Sequence, residues 1–344
     1  MSFRCALFGA RANSAGLGTQ SWEFWRHIKP EATALIDYSH IDHKQAFPER
    51  FDGPGVTHFH GPPSDQEIEG WLDLEQPTAV VTMETPYNWH LYEACRARKI
   101  TTFCQYNFEF LRNLKDFSLP LPDVLMAPTP WCVDRVQALL GRSCWVRYLP
   151  VPVATDRFPP RTVRRVQRFL HIGGYKLHAD RNGTEALLRA IPLVKADVEF
   201  TIFSQHHVPG ISDSRVQVAN TNLLNYWDLY QHGDCLLLPR RYGGLCLPAQ
   251  EAAAAGLVVV MPDMLPNPSM CHPRALFPVR GLDEAEGYPV APVDPGILAM
   301  QIDAVAEWSA AEVAEVVAYQ RARVHPWSEW AGHYREFFAS HAGG

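Results

Sequence analysis

Three glycine-bearing segments hold the residues best suited to bind an anion such as a diphosphate. The first is Arg11-Ala-Asn-Ser-Ala-Gly16-Leu-Gly18-Thr-Gln20. It follows an apolar run and opens a helical pattern, so its glycines permit close backbone approach and the helix start favours an anion. It is not the dinucleotide fingerprint, because Ser21 stands where a third glycine is needed, and Asp37 alone is weak support for a ribose acid. The second is Gly173-Gly174-Tyr175-Lys176-Leu-His178-Ala-Asp180-Arg181-Asn182-Gly183. Two glycines with two cations suit a diphosphate: backbone N–H groups and the helix dipole would hold one part, Lys176 or Arg181 the other. The third runs Pro239-Arg240-Arg241-Tyr242-Gly243-Gly244-Leu245-Cys246-Leu-Pro-Ala-Gln-Glu251 into an alanine-rich helix. Glu251 favours a helix dipole from the first turn, but small residues on the following turns would let it face a ligand, and a carboxylate accepts two ribose hydroxyls.

Other segments carry less. Met83-Glu84-Thr85-Pro86-Tyr87-Asn88-Trp89 lies between a strand and a helix. Thr85 or Asn88 caps that helix on the plainer reading, while Glu84 is an acid at a strand's carboxyl end, where acceptor groups would lie. Gln105-Tyr106-Asn107-Phe108-Glu109-Phe110 mixes aromatic faces with amides in the same kind of position. His206-His207 has no companion acid or thiol at metal-ligand spacing, so no metal is expected there. Arg161, Arg164, Arg165 and Arg168 form either a solvated strand edge or a polyanion contact.

The elements that must position these residues alternate. Phe3–Phe8, Ala34–Asp37, Val56–Phe59, Ala79–Met83, Ile100–Gln105, Val124–Ala127 and Val146–Leu149 read as strands, with helices at Leu17–Ile28, Asn88–Arg98 and Trp131–Leu140. Pro150, Pro152, Pro159 and Pro160 make a stiff linker. The alternation then restarts: strands at Arg168–Ile172, Val198–Phe203, Val216–Val218, Cys235–Leu238 and Leu257–Met261, and helices at Thr184–Leu193, Leu223–Gln231 and Pro248–Ala255. Helical segments Pro295–Glu307, Ala310–Val324 and Glu329–Ala339 close the chain. The expected fold is α/β, two Rossmann-like doubly wound domains facing across a cleft, with ligands at the carboxyl ends of the strands.

Composition is consistent with this and removes other classes. In 344 residues, 47% apolar and 20% charged describe an ordinary globular interior, and the length suits two domains. Net charge is −6, but residues 161–241 hold 11 basic against 7 acidic residues, so an anion is expected there. No basic domain stands out, no apolar run approaches the ~20 residues of a membrane helix, and the first residues do not resemble a signal peptide. Eight scattered cysteines without a CxxC pair fit buried thiols and a cytoplasmic protein.

The segment Gly243-Gly-Leu-Cys-Leu-Pro-Ala-Gln-Glu251-Ala-Ala-Ala-Ala-Gly-Leu-Val-Val-Val resembles the signature of retaining GT-B glycosyltransferases of the large family four. Gly173-Gly174 with Arg181-Asn182-Gly183 is similar to that family's donor-phosphate loop, Ser14-Ala-Gly16-Leu-Gly18 to its first glycine loop, and His325 to Tyr334 to its closing helix. The resemblance implies domains at 1–158 (acceptor side), 159–324 (nucleotide sugar) and 325–344 (a helix returning to the first domain). It implies transfer of a sugar from a UDP- or GDP-linked donor to a hydroxyl with retention and without metal or other cofactor. Glu251 would bind ribose. Arg181 and Lys176 would act on the diphosphate, with Gly16, Gly18 and Gly174 approaching it, and the departing phosphate would take the acceptor proton. The family's first glutamate falls at Gly243, so Arg240, Arg241 and Tyr242, with Gly243, Gly244 and Leu245, would shape the donor site. Glu84, Tyr87, Asn88, Tyr106 and Asn107 would face the acceptor: a saccharide, a small molecule or a hydroxymethylated DNA base. A monomer or homodimer is expected, and the linker would act as a hinge. The alternatives are a sugar-nucleotide 2-epimerase of the same fold and a non-catalytic binder of sugar nucleotides.

Overall fold

The computed structural model describes residues 3–37, 46–109, 119–159, 161–174, 180–208, 212–221, 223–285 and 288–342. The chain divides into two compact units, Met1–Pro152 with His325–Gly344, and Val153–Val324. The first crossing falls at Val153, so the Pro159 segment expected in a linker lies within the second unit.

Among the described residues, the first unit holds β1 (Cys5–Ala10), α1 (Gly16–Ile28), β2 (Ala32–Ile36), β3 (Val56–Phe59), α2 (Asp65–Glu75), β4 (Ala79–Met83), α3 (His90–Ala97), β5 (Thr101–Gln105), β6 (Val124–Ala127), α4 (Val133–Leu140) and β7 (Trp145–Tyr148). The strands form one parallel sheet in the order β3-β2-β1-β4-β5-β6-β7. Sequences such as Cys-Ala-Leu-Phe-Gly-Ala and Ala-Val-Val-Thr-Met are buried at every position, as strands covered on both faces must be. Strand order reverses between β1 and β4, which makes the loops after them the natural ligand position of this sheet.

Helix α2 escaped the sequence reading. Its apolar stripe is only Ile68, Trp71 and Leu72, on an acidic helix. The usable signal was Ser64 followed by Glu67, which closes a capping box with both reciprocal hydrogen bonds formed.

The second unit holds β8 (Arg168–Gly174), α5 (Thr184–Ala190), β9 (Glu199–Ser204), β10 (Val216–Ala219), β11 (Cys235–Leu237), α6 (Leu247–Ala254), β12 (Val258–Pro262), β13 (Leu276–Phe277), the hairpin β14 (Asp283–Ala285) and β15 (Tyr288–Val290), α7 (Pro295–Ala306) and α8 (Ala310–Arg321). Its parallel sheet runs β10-β9-β8-β11-β12-β13, with the reversal between β8 and β11. On α6, Ala249, Ala252 and Ala253 are wholly buried, so the helix lies close on the sheet.

Two helices are shorter or tighter than expected. Helix α5 stops at Ala190 and tightens into a 3-10 turn over Ile191–Leu193, because Pro192 supplies no N–H. Leu223–Gln231 is not an α-helix but a 3-10 segment over Tyr226–His232, which sets Tyr226 and Tyr230 against Phe158.

Helix α9 (Trp327–His341) returns the chain to the first unit. Phe24 of α1 meets Trp327, Tyr334 and Phe338 edge-on or tilted at 6.1–6.2 Å. Tyr334 donates to Pro150 O at 2.9 Å. Arg335 donates to Ile28 O and Lys29 O, placing a cation on the carbonyl end of α1. No helix among the described residues is long and apolar enough to cross a membrane. All eight cysteines are free thiols, and seven are buried.

Candidate active site

The reversal in the second sheet brings the second and third glycine segments together. Gly183 has φ +74°, and a Cβ there would stand 2.1 Å from Pro239 O, so only glycine lets the loop after β8 rest on the loop after β11. The backbone then bridges the same two loops, with Arg241 N donating to Arg181 O at 2.8 Å. Arg181 lies over the Tyr242 ring at 5.5 Å, and its Nε reaches Tyr242 O at 3.5 Å.

The third segment folds around Arg240, which is 5% exposed. Its Nε donates to Tyr242 O at 2.9 Å and its Nη1 to Leu245 O at 2.6 Å, so this guanidinium shapes the turn. Gly243 has φ +123°, and a Cβ there would fall 2.1 Å from Arg240 Nη2 and 2.5 Å from Arg181 Nη2. The position where the resembling family carries its first glutamate is thus packed against two cations and needs glycine. Gly244 continues this buried turn. Arg241 turns its Nε to Ala291 O at 3.3 Å.

Glu251 sits on α6, 6% exposed, and accepts a hydrogen bond from the Tyr230 hydroxyl. Burial, followed by the neighbouring Glu251 charge, holds the Tyr230 hydroxyl protonated, well above its ordinary range. Tyr230 was not anticipated: a tyrosine 21 residues away in sequence gives no local sign that it will meet Glu251.

The loop after β8 differs from expectation in one respect. Asp180, with φ +54°, accepts from Thr184 N and Glu185 N, both at 2.8 Å. A carboxylate already occupies the first N–H groups of α5, so the reading that these groups hold a phosphate is corrected. The Asp180 carboxyl is raised above its usual range by burial, against the lowering effect of those N–H groups. Gly174, with φ +62°, offers its carbonyl to Gln205 N and His206 Nδ1, while Asn182 Nδ2 donates to Gly173 O at 2.9 Å. Lys176 lies outside the described residues. Behind the loop, His171 ties β8 to Leu237 O and to Thr184 Oγ1, both at 2.9 Å. Burial lowers its pKa to about 4, so it is neutral at pH 7. A polar residue inside the run Phe-Leu-His171-Ile was the sequence signal for it.

The arginines of residues 161–168 are divided in use. Arg161 and Arg168 each place Nη2 2.7 Å from Asp234 Oδ1, and Arg161 also donates to Tyr230 O and Gly233 O. Arg164 and Arg165 are exposed.

In the first unit, the loops after β1 and β4 meet. Gly9 (φ +80°) lies against the Tyr87 ring, where a Cβ would be 3.0 Å from Cδ2, and Arg11 sits 4.9 Å over that ring. Gly16 begins α1. A Cβ on Gly18 would be 2.1 Å from Asn13 O, so this glycine serves the fold of its own loop. Glu84 and Tyr87 both adopt left-handed backbone, with φ 63° and 62°. Two non-glycine residues in that region within one short loop mark stored strain, which is common where a loop is shaped for a ligand. Glu84 accepts from Asn107 Nδ2. Asn88 behaves as a helix cap and brace: Oδ1 takes His90 N at 3.0 Å, and Nδ2 donates to Pro63 O and Asp65 Oδ1. Tyr106 packs in the apolar core, 3% exposed.

Two parallel doubly wound units, each with glycine loops at its reversal point, define the GT-B class of α/β proteins. Solved structures share this fold along the whole chain. Sucrose-phosphate synthase from Thermosynechococcus elongatus superposes with TM-score 0.68 at 14% identity, covering 98% of this chain and 100% of that one. HepE from Anabaena, solved with UDP and glucose, gives 0.69 at 8% identity, covering 98% and 100%. A glycosyltransferase from Rickettsia africae gives 0.67 at 12% identity, covering 99% of each. No functionally curated protein matches the sequence. Residues 166–307 match the family model of glycosyl transferases group 1. The matched residues contain Glu251, Arg181 and the Gly243 turn, so this part of the chain is similar to a group 1 glycosyltransferase domain.

Proposed function

We propose that the protein moves a sugar from a nucleoside-diphosphate sugar, UDP-linked in the first instance, to an acceptor hydroxyl with retention and without a metal. The observation that carries this reading is the convergence, in the second unit, of the Arg181 guanidinium, the Gly243 turn and the two glycine loops at the sheet's reversal point. Such a point is where open α/β sheets hold nucleotides. Glu251 accepts the ribose hydroxyls, with Tyr230 fixing one of its oxygens. Arg181 stabilises charge on the departing diphosphate, together with Lys176, while Arg240 holds the turn in shape. With Asp180 on the N–H groups of α5, cationic side chains rather than the helix supply that stabilisation. The departing phosphate oxygen takes the acceptor proton. HepE, which shares the fold, binds UDP and glucose, which supports the choice of base.

Incubation of the full chain with UDP-glucose, GDP-mannose and ADP-glucose, reading release of the nucleotide, tests the reaction. Release is expected from one donor and is expected to fall on the order of 100-fold or more in Arg181→Ala. Equal release by wild type and Arg181→Ala would overturn the assignment.

A further inference from the structure

Helix α7 of the second unit carries a side-chain set unlike that of the other surface helices. Its sequence, Pro-Gly-Ile-Leu-Ala-Met-Gln-Ile-Asp-Ala-Val-Ala, has a single charged residue, Asp303. Helix α2, by contrast, carries Asp65, Glu67, Glu69, Asp73 and Glu75. Even Asp303 is committed: its Oδ1 accepts from Lys195 N and Ala196 N, both at 2.9 Å. Leu298, Ile302 and Val305 are wholly buried and form the inner face. Ile297, Met300 and Ala304, spaced by three and four, share the outer face. There Met300 is 73% exposed, Ala304 is exposed and Ile297 is half-buried. The Asp303 bonds hold the chain after α5 alongside this helix, and on that stretch Pro192 is exposed and Leu193 is 52% exposed. A helix apolar on both faces belongs in an interior, and a surface that sets methionine and leucine inside a polar rim is built like a protein interface.

The charges around the face decide what covers it. Arg189, Lys195, Asp197 and Glu307 flank its apolar residues in sequence, all exposed, two of each sign. A polyanion or an anionic lipid surface calls for an excess of cations, which this rim lacks. A rim with equal numbers of each sign is complementary to itself. A twofold axis sets the same patch against its own copy, where the cations of one can meet the anions of the other. We propose that the protein forms a twofold-symmetric homodimer in which α7 and the turn at Leu193 of one copy pack on the same elements of its partner. An apolar centre of five residues is small, so this dimer belongs with the weaker, reversible interfaces. The interface lies wholly in the second unit and does not depend on what the candidate active site binds.

Sedimentation velocity of the full chain, over a range of about 1 to 100 µM, tests it. A dimer is expected to grow with concentration across that range. Met300→Lys and Leu193→Lys each place a charge in the centre of the interface, and each is expected to weaken dimerisation on the order of tenfold or more. Both side chains are exposed, so both variants are expected to fold, and circular dichroism melting checks that they do. Leu74→Lys on α2 alters a leucine that is 75% exposed in the other unit and is expected to leave dimerisation unchanged. A wild-type chain that stays monomeric throughout would overturn the proposal, whether or not it sediments with phosphatidylglycerol vesicles. So would a dimer equally tight in folded Met300→Lys and Leu193→Lys, or one weakened as much by Leu74→Lys.

Discussion

At the scale of single residues, position 183 shows how strictly the site constrains its sequence. A Cβ at Gly183 would press on the carbonyl of Pro239, a backbone atom that cannot rotate away, from a backbone that side chains avoid. Gly183→Ala is expected to cost about 2 kcal/mol or more from strain alone, read as a lower urea midpoint, and to weaken nucleotide binding by parting the two loops. His171 gives the second unit a pH dependence whose sign is fixed. Its native pKa is about 4, below the ordinary 6.5, because the buried ring cannot take a proton. Between pH 6.5 and 4 the unfolded chain binds a proton that the native state refuses. Stability is therefore complete above pH 6.5 and falls as the pH drops, by about 3 kcal/mol in total at roughly 1.4 kcal/mol per unit. Chemical denaturation across that range checks it, and His171→Gln is expected to flatten the dependence. A variant with the same slope would remove His171 as its source.

At the scale of elements, the sheet strands were legible because parallel strands buried on both faces spell continuous apolar runs. Ala79–Met83 and Val124–Ala127, buried throughout, are bounded as their sequence suggests. Helix α2 was not, since a surface helix with three buried apolar residues has no long stripe to show, and its cap is the better sign. Gly70 within α2 has nothing within 4 Å of an added Cβ. Gly70→Ala is expected to raise stability by about 0.5–1 kcal/mol through helix propensity alone, measured by thermal melting. In the opposite direction, Phe338→Ala in α9 removes a wholly buried ring that meets Phe24 and Phe103. A loss of about 3–5 kcal/mol is expected, seen in the unfolding of the first unit. A loss below 1 kcal/mol would mean that α9 is not docked as described.

The site was legible in part for a related reason. Glycine segments at strand ends announce themselves, and the charge excess of residues 161–241 pointed to the same loops. What stayed hidden were partners distant in sequence: Tyr230 on Glu251, and Asp234 gathering Arg161 and Arg168. These are set by which loops the strand order brings together, and a linear pattern does not encode that order.

For the whole molecule, the account stands on one unit that takes a nucleoside diphosphate. The match of residues 166–307 to the group 1 family model and the full-length likeness to solved structures describe the architecture, while the proposed ligand rests on Glu251, Arg181 and the Gly243 turn. A compound that binds only the folded chain must raise its melting temperature by mass action. The most direct measurement is the thermal shift of the full chain with UDP, GDP and ADP, in wild type, Glu251→Gln and Arg181→Ala. A shift with UDP that grows with concentration and is largely lost in both variants is the predicted result. No shift with any of the three nucleotides, or an equal shift in all three proteins, would contradict the assignment.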